Sequence, residues 1–496
     1  MNMDTPEIWK STEPLLRWNG WTNWTIGHSF EHAFAFGRTG SGKSSTVIEF
    51  ASKAALLAGY GCLFQTTKKS DTETYLKWIR EAGRSDSLVM IDAKRGLGCN
   101  LLKQELDCGV AGAGAIDEDA TENIVRLFKF ISSLCGGSDQ RRGTESIWDD
   151  AAKQLLRNAL NVVYAATGTV DFDDLRQLVQ SAPANQDADS AAWWRDSRCG
   201  QLLGLAQKNK PDSRAVDLAR QYFLEEFSRH APETRTSVTF NFSATWADLL
   251  ARDPLRSLFF SKADYPMDIV LKGAVLVVDF PVDDKSEIGR LANGLARWAV
   301  QRAILRRNKK ENDRPVAIVW DECQKTLTLS DVDFQATARE PRCMVLAATQ
   351  SIGGLNASVG QDLGSTFLNN FNTKLFYQNQ DPAINQYMAD CIGKIQITKM
   401  VGYTRDSKGK RNKEYKKVEE YAFPPQAAQN LKTGGEEHNG KVTAILTRGG
   451  QQFGGKPGVK TRFKQGAWRW GWLNMIICTS AAYAKQRPAP DFRHLR

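Results

Sequence analysis

The run Gly37-Arg38-Thr39-Gly40-Ser41-Gly42-Lys43-Ser44 constrains this chain more than any other segment. Its glycines permit positive φ and let backbone N–H groups close around an anion. The pattern G-x-x-x-x-G-K-[ST] requires a strand before it and a helix after it. Ala33-Phe34-Ala35-Phe36 is a short apolar strand, and residues 47–57 carry helical periodicity. The helix N-terminus then points at the bound phosphate. Gly37, Arg38, Thr39, Gly40, Ser41, Gly42, Lys43, Ser44 and Ser45 form the expected nucleotide-binding set. Lys43 is expected against the β- and γ-phosphates of ATP, and the Ser44 hydroxyl on Mg²⁺.

A phosphate loop of this kind needs an acidic partner. Pro315-Val316-Ala317-Ile318-Val319-Trp320 reads as an apolar strand ending in Asp321-Glu322. An acidic pair at a strand end is often only solvated surface. Set against Lys43 it gains meaning, with Asp321 on Mg²⁺ and Glu322 as the base that activates water. A third apolar strand, Met344-Val345-Leu346-Ala347-Ala348, ends in Thr349-Gln350-Ser351. Gln350 is expected to sense the γ-phosphate or the attacking water; a turn-forming polar cluster is the equal alternative.

The chain has 496 residues, enough for two or three domains. No apolar run approaches the ~20 residues of a membrane helix, and the first residues lack the pattern of a signal peptide. The nine cysteines, Cys62, Cys99, Cys108, Cys135, Cys199, Cys323, Cys343, Cys391 and Cys478, form no C-x-x-C pair. Reduced thiols in a cytoplasmic protein are expected, without structural zinc. The net charge is +10, and residues 399–469 hold sixteen Lys and Arg against six Asp and Glu. The rest is close to neutral. The densest cluster, 405–417, includes Lys408, Lys410, Arg411, Lys413, Lys416 and Lys417. It reads as an exposed hairpin or loop, either a solvated surface or a contact to nucleic acid phosphates.

Along the chain, residues 61–65 and 87–92 read as strands and 72–82 as a helix. This alternation argues an α/β domain with a mostly parallel sheet. From about 118 to 258 the pattern is mainly helical, as in 146–160, 173–180 and 216–229. Strands resume at 273–281, followed by a long helix at 288–306, then the Asp321 and Gln350 strands and one more at 371–378. The expected architecture is an α/β P-loop domain with a mostly parallel sheet, 1–115 and 266–496, with an all-helical insertion at 116–265. Trp18, Trp21 and Trp24, near an opening strand and turn, are expected in the core rather than stacked on adenine.

Taken together, these segments resemble the type IV secretion coupling proteins of bacterial conjugation, in the FtsK/HerA group of RecA-like translocases. The resemblance is carried by 37–44, by Gln65-Thr66-Thr67-Lys68-Lys69 with its helix, and by Asn100-Leu101-Leu102. It continues through Ile147-Trp148 in the helical insert, 275–281, Trp320-Asp321-Glu322, Ala338-Arg339-Glu340 and Ala348-Thr349-Gln350-Ser351. Leu431-Lys432-Thr433-Gly434-Gly435 and 444–450 resemble the family's ending. The resemblance implies an ATP- and Mg²⁺-dependent ring oligomer, hexameric in the family, acting on DNA with relaxosome or secretion-system partners. It implies a location in the cytoplasm, peripheral to the inner membrane through those partners. It also implies an arginine reaching a neighbour's nucleotide: Arg339 is the first candidate, acting in trans or locally, with a surface ion pair to Glu340 as the plain alternative. Arg297, Arg302, Arg306 and Arg307 are rivals. Two departures stand out. Family members usually begin with membrane-spanning helices, and Thr67 occupies a position where the family often has Asp, leaving Asp71 as a substitute.

Two further functions compete with a DNA pump. One is a nucleotide-switched interaction or defence module; the other is an ATPase that recruits protein cargo for secretion. Glu322 favours hydrolysis over a pure switch.

Overall fold

The computed structural model describes residues 9–18, 22–108, 118–135, 147–184, 187, 190–250, 252–405, 411–466, 476–477 and 490–495. The chain divides into two compact units. The first comprises Met1–Val89, Val270–Val277 and Val300–His494; the second comprises Met90–Ile269, Val278–Ala299 and Leu495–Arg496.

The first unit is built on a sheet of nine strands. In chain order these are β1 (Ala33–Phe36), β2 (Gly61–Gln65), β3 (Leu88–Ile91), β4 (Val275–Val278), β5 (Val316–Trp320), β6 (Cys343–Thr349), β7 (Thr373–Phe376), β8 (Lys441–Arg448) and β9 (Gly458–Lys464). Their spatial order is β9-β8-β7-β1-β6-β5-β2-β4-β3. The pairs β7-β1, β1-β6, β6-β5 and β5-β2 are parallel, whereas β8 and β9 add as an antiparallel edge. A parallel sheet is covered on both faces, so its strands are apolar throughout. Every residue of β1, β2, β5 and β6 is buried. Ring contacts lock β1 to its neighbours: Phe36 stacks on Phe376 at 4.8 Å, and Phe34 meets Phe371 edge-on at 4.8 Å. The fold is that of a RecA-like P-loop domain with a mostly parallel central sheet.

The tryptophans near the start belong to this core. Trp18 and Trp24 are buried, 5.7 Å apart, and the Trp24 indole donates to Thr373 Oγ1 at 3.2 Å. Trp21 lies outside the described residues.

The second unit is helical, and the sequence shows where its helices begin. Asp171, Ser190, Ser197 and Ser213 each accept a backbone N–H from the first turn that follows. The long helices Glu118–Cys135 and Ile147–Thr167 bury Ile124, Leu127, Ile131, Leu155, Leu160 and Val163 on one face. Segment 98–100 belongs to this unit because it is tied to its far end. Cys99 N–H donates to Leu258 O at 2.7 Å and Asn100 N–H to Lys262 O at 2.8 Å. The helix expected over 288–306 extends back to Val282, interrupted at Ser286, whose φ is 43°. Among the described residues no helix is long and apolar enough to cross a membrane, and Cys62, Cys99, Cys108, Cys199, Cys323, Cys343 and Cys391 form no disulfide.

Candidate nucleotide site

The phosphate loop follows β1 at the carboxyl end of the sheet. Gly40 and Gly42 have φ of 75° and 93°. Gly42 has a second reason to be glycine: a Cβ there would lie 2.8 Å from both methyls of Val442 and 3.2 Å from Thr433 O. The first helical turn after the loop, Ser44–Ile48, is a wide π turn rather than the α-helical start expected; Glu49–Leu57 continues as α-helix.

Lys43 is 4% exposed and its ammonium donates to the carbonyls of Gly37 at 2.5 Å and Arg38 at 3.2 Å. It lies 4.0 Å from Glu322 Oε1. Burial pushes its pKa below the usual lysine range, and the carboxylates of Asp321 and Glu322 oppose that shift. Ser44 Oγ donates to Asp321 Oδ2 at 2.5 Å. Ser44 and Asp321 thus present two oxygens side by side, the donor set Mg²⁺ takes when substrate phosphates supply further ligands. No larger cluster of metal-ligating side chains occurs among the described residues.

Glu322 is 3% exposed and left-handed, with φ 52° and ψ 47°. A non-glycine residue in that region is held there by its surroundings. Two amides grip its carboxylate. Gln350 Nε2 donates to Oε1, and Gln324 Nε2 donates to Oε2 at 2.8 Å. Gln350 Oε1 accepts from Thr39 Oγ1 at 2.6 Å, and Gln324 Oε1 accepts from Thr349 Oγ1 at 2.8 Å. The structure thus brings Thr39, Lys43, Ser44, Asp321, Glu322 and Gln350 together.

Behind Asp321 stands the segment Thr67-Lys68-Lys69-Ser70-Asp71. Thr67 Oγ1 donates to Asp321 O at 3.0 Å. Asp71 Oδ2 accepts the N–H groups of Thr67 and Lys68 at 2.9 and 2.7 Å. Burial raises the Asp71 pKa above the usual range against those two hydrogen bonds. Asp71 therefore holds the turn that holds Asp321.

Several contacts were not legible in the sequence. Gln324 follows Glu322 by two residues, and that D-E-x-Q spacing was the one available signal. Gln378 Oε1 accepts from Arg38 Nε, and Gln465 Nε2 donates to Ser45 Oγ at 2.7 Å. Both are brought to the loop by strands distant in sequence.

Arg339 lies elsewhere. It precedes β6, whereas Gln350 follows it, and a seven-residue strand spans about 20 Å. Arg339 is therefore separated from the phosphate loop of its own chain by the length of β6. Nor does it pair with Glu340, which bonds Lys309 instead. Arg339 is 72% exposed and reaches Glu31 at 3.0 Å. Burial pushes the Glu31 pKa up, but hydrogen bonds from Asn372 and Arg448 outweigh it and hold the carboxyl below its usual range. Of the rivals, Arg297 is fully buried and Arg307 donates to Arg314 O.

The basic cluster forms an exposed antiparallel hairpin of two strands, Lys394–Arg405 and Arg411–Tyr421. Arg411, Lys413, Lys416 and Lys417 are exposed on it; Lys408 and Lys410 lie outside the described residues.

Residues 315–432 match the family described as the TraM recognition site of TraD and TraG. No curated protein matches the chain. Solved structures of similar fold include the bacterial conjugative coupling protein TrwBdeltaN70 in its unbound form. Its TM-score is 0.61 at 16% identity, over 91% of this chain and 89% of that one. TrwB bound to the non-hydrolysable ATP analogue ADPNP aligns with a TM-score of 0.60 at 16% identity, over 91% and 90%. TrwB with ADP and Mg²⁺ gives 0.59 at 16% identity, over 91% and 89%. The chain therefore shares the fold of the conjugative coupling proteins over nine-tenths of its length, and within it carries the segment that matches the TraM recognition site of TraD and TraG.

Proposed function

We propose that this chain is an ATP-driven DNA translocase of the coupling type, working as a ring, hexameric by the family resemblance. One observation carries the reading. The loop residues Thr39, Lys43 and Ser44 and the strand-end residues Asp321, Glu322 and Gln350 form one hydrogen-bonded constellation. A nucleotide-binding switch needs the loop and the metal pair; it does not need a buried carboxylate held by two amides.

The chemistry follows from the residues. ATP phosphates draw the Lys43 ammonium from the carbonyls of Gly37 and Arg38 and replace its distant partner Glu322. Ser44 and Asp321 would hold Mg²⁺, which neutralises charge developing on the transferred phosphoryl group. Glu322, relieved of Lys43, accepts a proton from the attacking water. Gln324 fixes the orientation of its carboxylate. Gln350 is the link between base and loop, so occupancy at Thr39 alters what Glu322 can do. Arg339, exposed at the opposite end of the strands, is available to a neighbouring subunit's nucleotide.

The TraM recognition match supports a protein partner as well, of the relaxosome type. The +10 net charge, concentrated in residues 399–469, supports DNA as cargo. The test is ATP turnover of the purified chain with no DNA, with single strands and with duplex. Stimulation by either form supports a motor. Equal turnover with and without DNA favours a switch or a protein-cargo ATPase.

A further inference from the structure

The charged hairpin is not charged evenly. Residues paired across an antiparallel ladder share a face, and alternate residues of a strand share a face. The ladder pairs Thr398 with Lys417, Met400 with Tyr415 and Tyr403 with Lys413, with a bulge between Met400 and Gly402. One face therefore carries Met400, Tyr403, Arg411, Lys413, Tyr415 and Lys417. The other carries Ile397, Lys399, Glu414, Lys416, Val418 and Glu420, and there Lys399 is paired with Glu420. The first face, with Lys394, Arg405, Arg411, Lys413 and Lys417 against Glu419, is cationic, whereas the second, with Lys399 and Lys416 against Glu414 and Glu420, is balanced.

The first face also carries aromatic rings in the open. Tyr403 and Tyr415 are 57% and 58% exposed, and no other tyrosine among the described residues is classed as exposed. Met400 is 45% exposed beside them. Tyr415 stands one step diagonally from Tyr403 across the ladder, about 7–8 Å away. Exposed rings cost solubility unless they have a use, and here each lies next to a lysine.

We infer that this face is a platform for single-stranded nucleic acid, with bases stacked on Tyr403 and Tyr415 and phosphates on Arg411, Lys413 and Lys417. Rings interleaved with cations are what an unpaired strand needs, because its bases are free to stack and its backbone is anionic. Duplex offers only phosphates to this face. The inference rests on the DNA reading above and deepens it by naming the strand form and the residues. It also divides the basic cluster: Lys416 belongs to the balanced face and is not part of the platform.

The experiment is fluorescence anisotropy with a labelled 20-residue oligo-dT and with a duplex of equal length, using the full chain. Tyr403→Ala with Tyr415→Ala lowers oligo-dT affinity, roughly five- to 150-fold per ring. Duplex affinity changes by less than twofold. The double Tyr→Phe variant keeps oligo-dT affinity, because stacking uses the ring and not the hydroxyl. Replacing Arg411, Lys413 and Lys417 by Ala flattens the log K against log salt slope for oligo-dT by up to ~2, at about 0.7 per contact. Lys416→Ala leaves it unchanged. Unstimulated ATP turnover serves as the folding control. Equal losses for oligo-dT and duplex in the double Tyr→Ala variant overturn the platform, as does an unchanged oligo-dT affinity. So does hairpin-dependent capture of a TraM-type protein without any effect on oligo-dT. If wild-type chain binds neither DNA form, the motor reading fails along with the platform; if it binds and the tyrosines are silent, only the platform fails.

Discussion

The Thr39 hydroxyl and the Gln350 side-chain carbonyl are joined across 2.6 Å, and the same Gln350 amide donates to Glu322. The loop that grips phosphate and the carboxylate that would activate water are thus connected by one side chain.

Removing that link separates binding from turnover. Gln350→Ala is expected to keep nucleotide affinity within a few-fold while turnover drops on the order of 10²–10³, the usual cost of one lost transition-state donor. Thr39→Ala leaves Gln350 on Glu322 and has a smaller effect. Steady-state turnover beside a fluorescent-nucleotide titration measures both. Equal loss of affinity and rate in Gln350→Ala would instead mark a residue that shapes the pocket.

The metal pair gives a second expectation. Ser44→Ala removes the hydroxyl and Asp321→Asn the carboxylate charge from the two groups that meet at 2.5 Å. Both variants should require more Mg²⁺ for half-maximal turnover, with nucleotide binding in EDTA little changed. A Mg²⁺ titration of turnover checks this. An unshifted titration in both variants contradicts the assignment of that pair to the metal.

Much of this was visible in the chain. The strands β1, β2, β5 and β6 read correctly because parallel strands buried on both faces are continuous apolar runs, and the loop and acid pair announce themselves by residue type. What escaped reading came from long-range assembly. Val442 on β8 and Gln465 just past the end of β9 reach the loop from some 400 residues away. The π turn at Ser44 and the break at Ser286 leave no mark in the hydrophobic pattern. The partners that Arg339 and Glu340 take, Glu31 and Lys309, leave no mark in the sequence, because adjacency is no guide to ion pairs at a strand end.

Arg339 supplies a test of assembly. Arg339→Ala should bind nucleotide normally yet hydrolyse slowly, by about 10³–10⁵ if it stabilises charge in a neighbour's site. Mixing it with Lys43→Ala should restore some turnover, because a mixed ring can pair an intact pocket with an intact arginine. Mixed rings without recovered turnover would remove Arg339 and point to Arg302 or Arg306.

His32 sets an acid limit on folding. It is fully buried at the entry to β1, and its Nδ1 accepts the Val345 N–H at 3.1 Å. Burial pulls its pKa from 6.5 down to about 3, with the nearby Glu31 opposing and Arg339 reinforcing the shift. A depressed folded-state pKa means the unfolded chain binds the extra proton first. This contribution to stability is therefore complete above pH 6.5 and falls as pH drops toward 3, by about 1.4 kcal/mol per pH unit. Thermal unfolding between pH 7 and 4 should show a shallower pH slope in His32→Asn than in wild type. Asn tolerates the left-handed φ of 64° found at this position. Identical slopes would show that His32 is not the group responsible.

The central claim is hydrolysis by Glu322 in a pocket closed by Lys43, and comparing Glu322→Gln with Lys43→Ala tests it most directly. Nucleotide retention and turnover are measured together, with and without DNA. Glu322→Gln should bind ATP as tightly as wild type, accumulate as rings and lose turnover by about 10²–10⁴. Lys43→Ala should lose affinity as well as turnover. Near-wild-type turnover in Glu322→Gln would contradict the account.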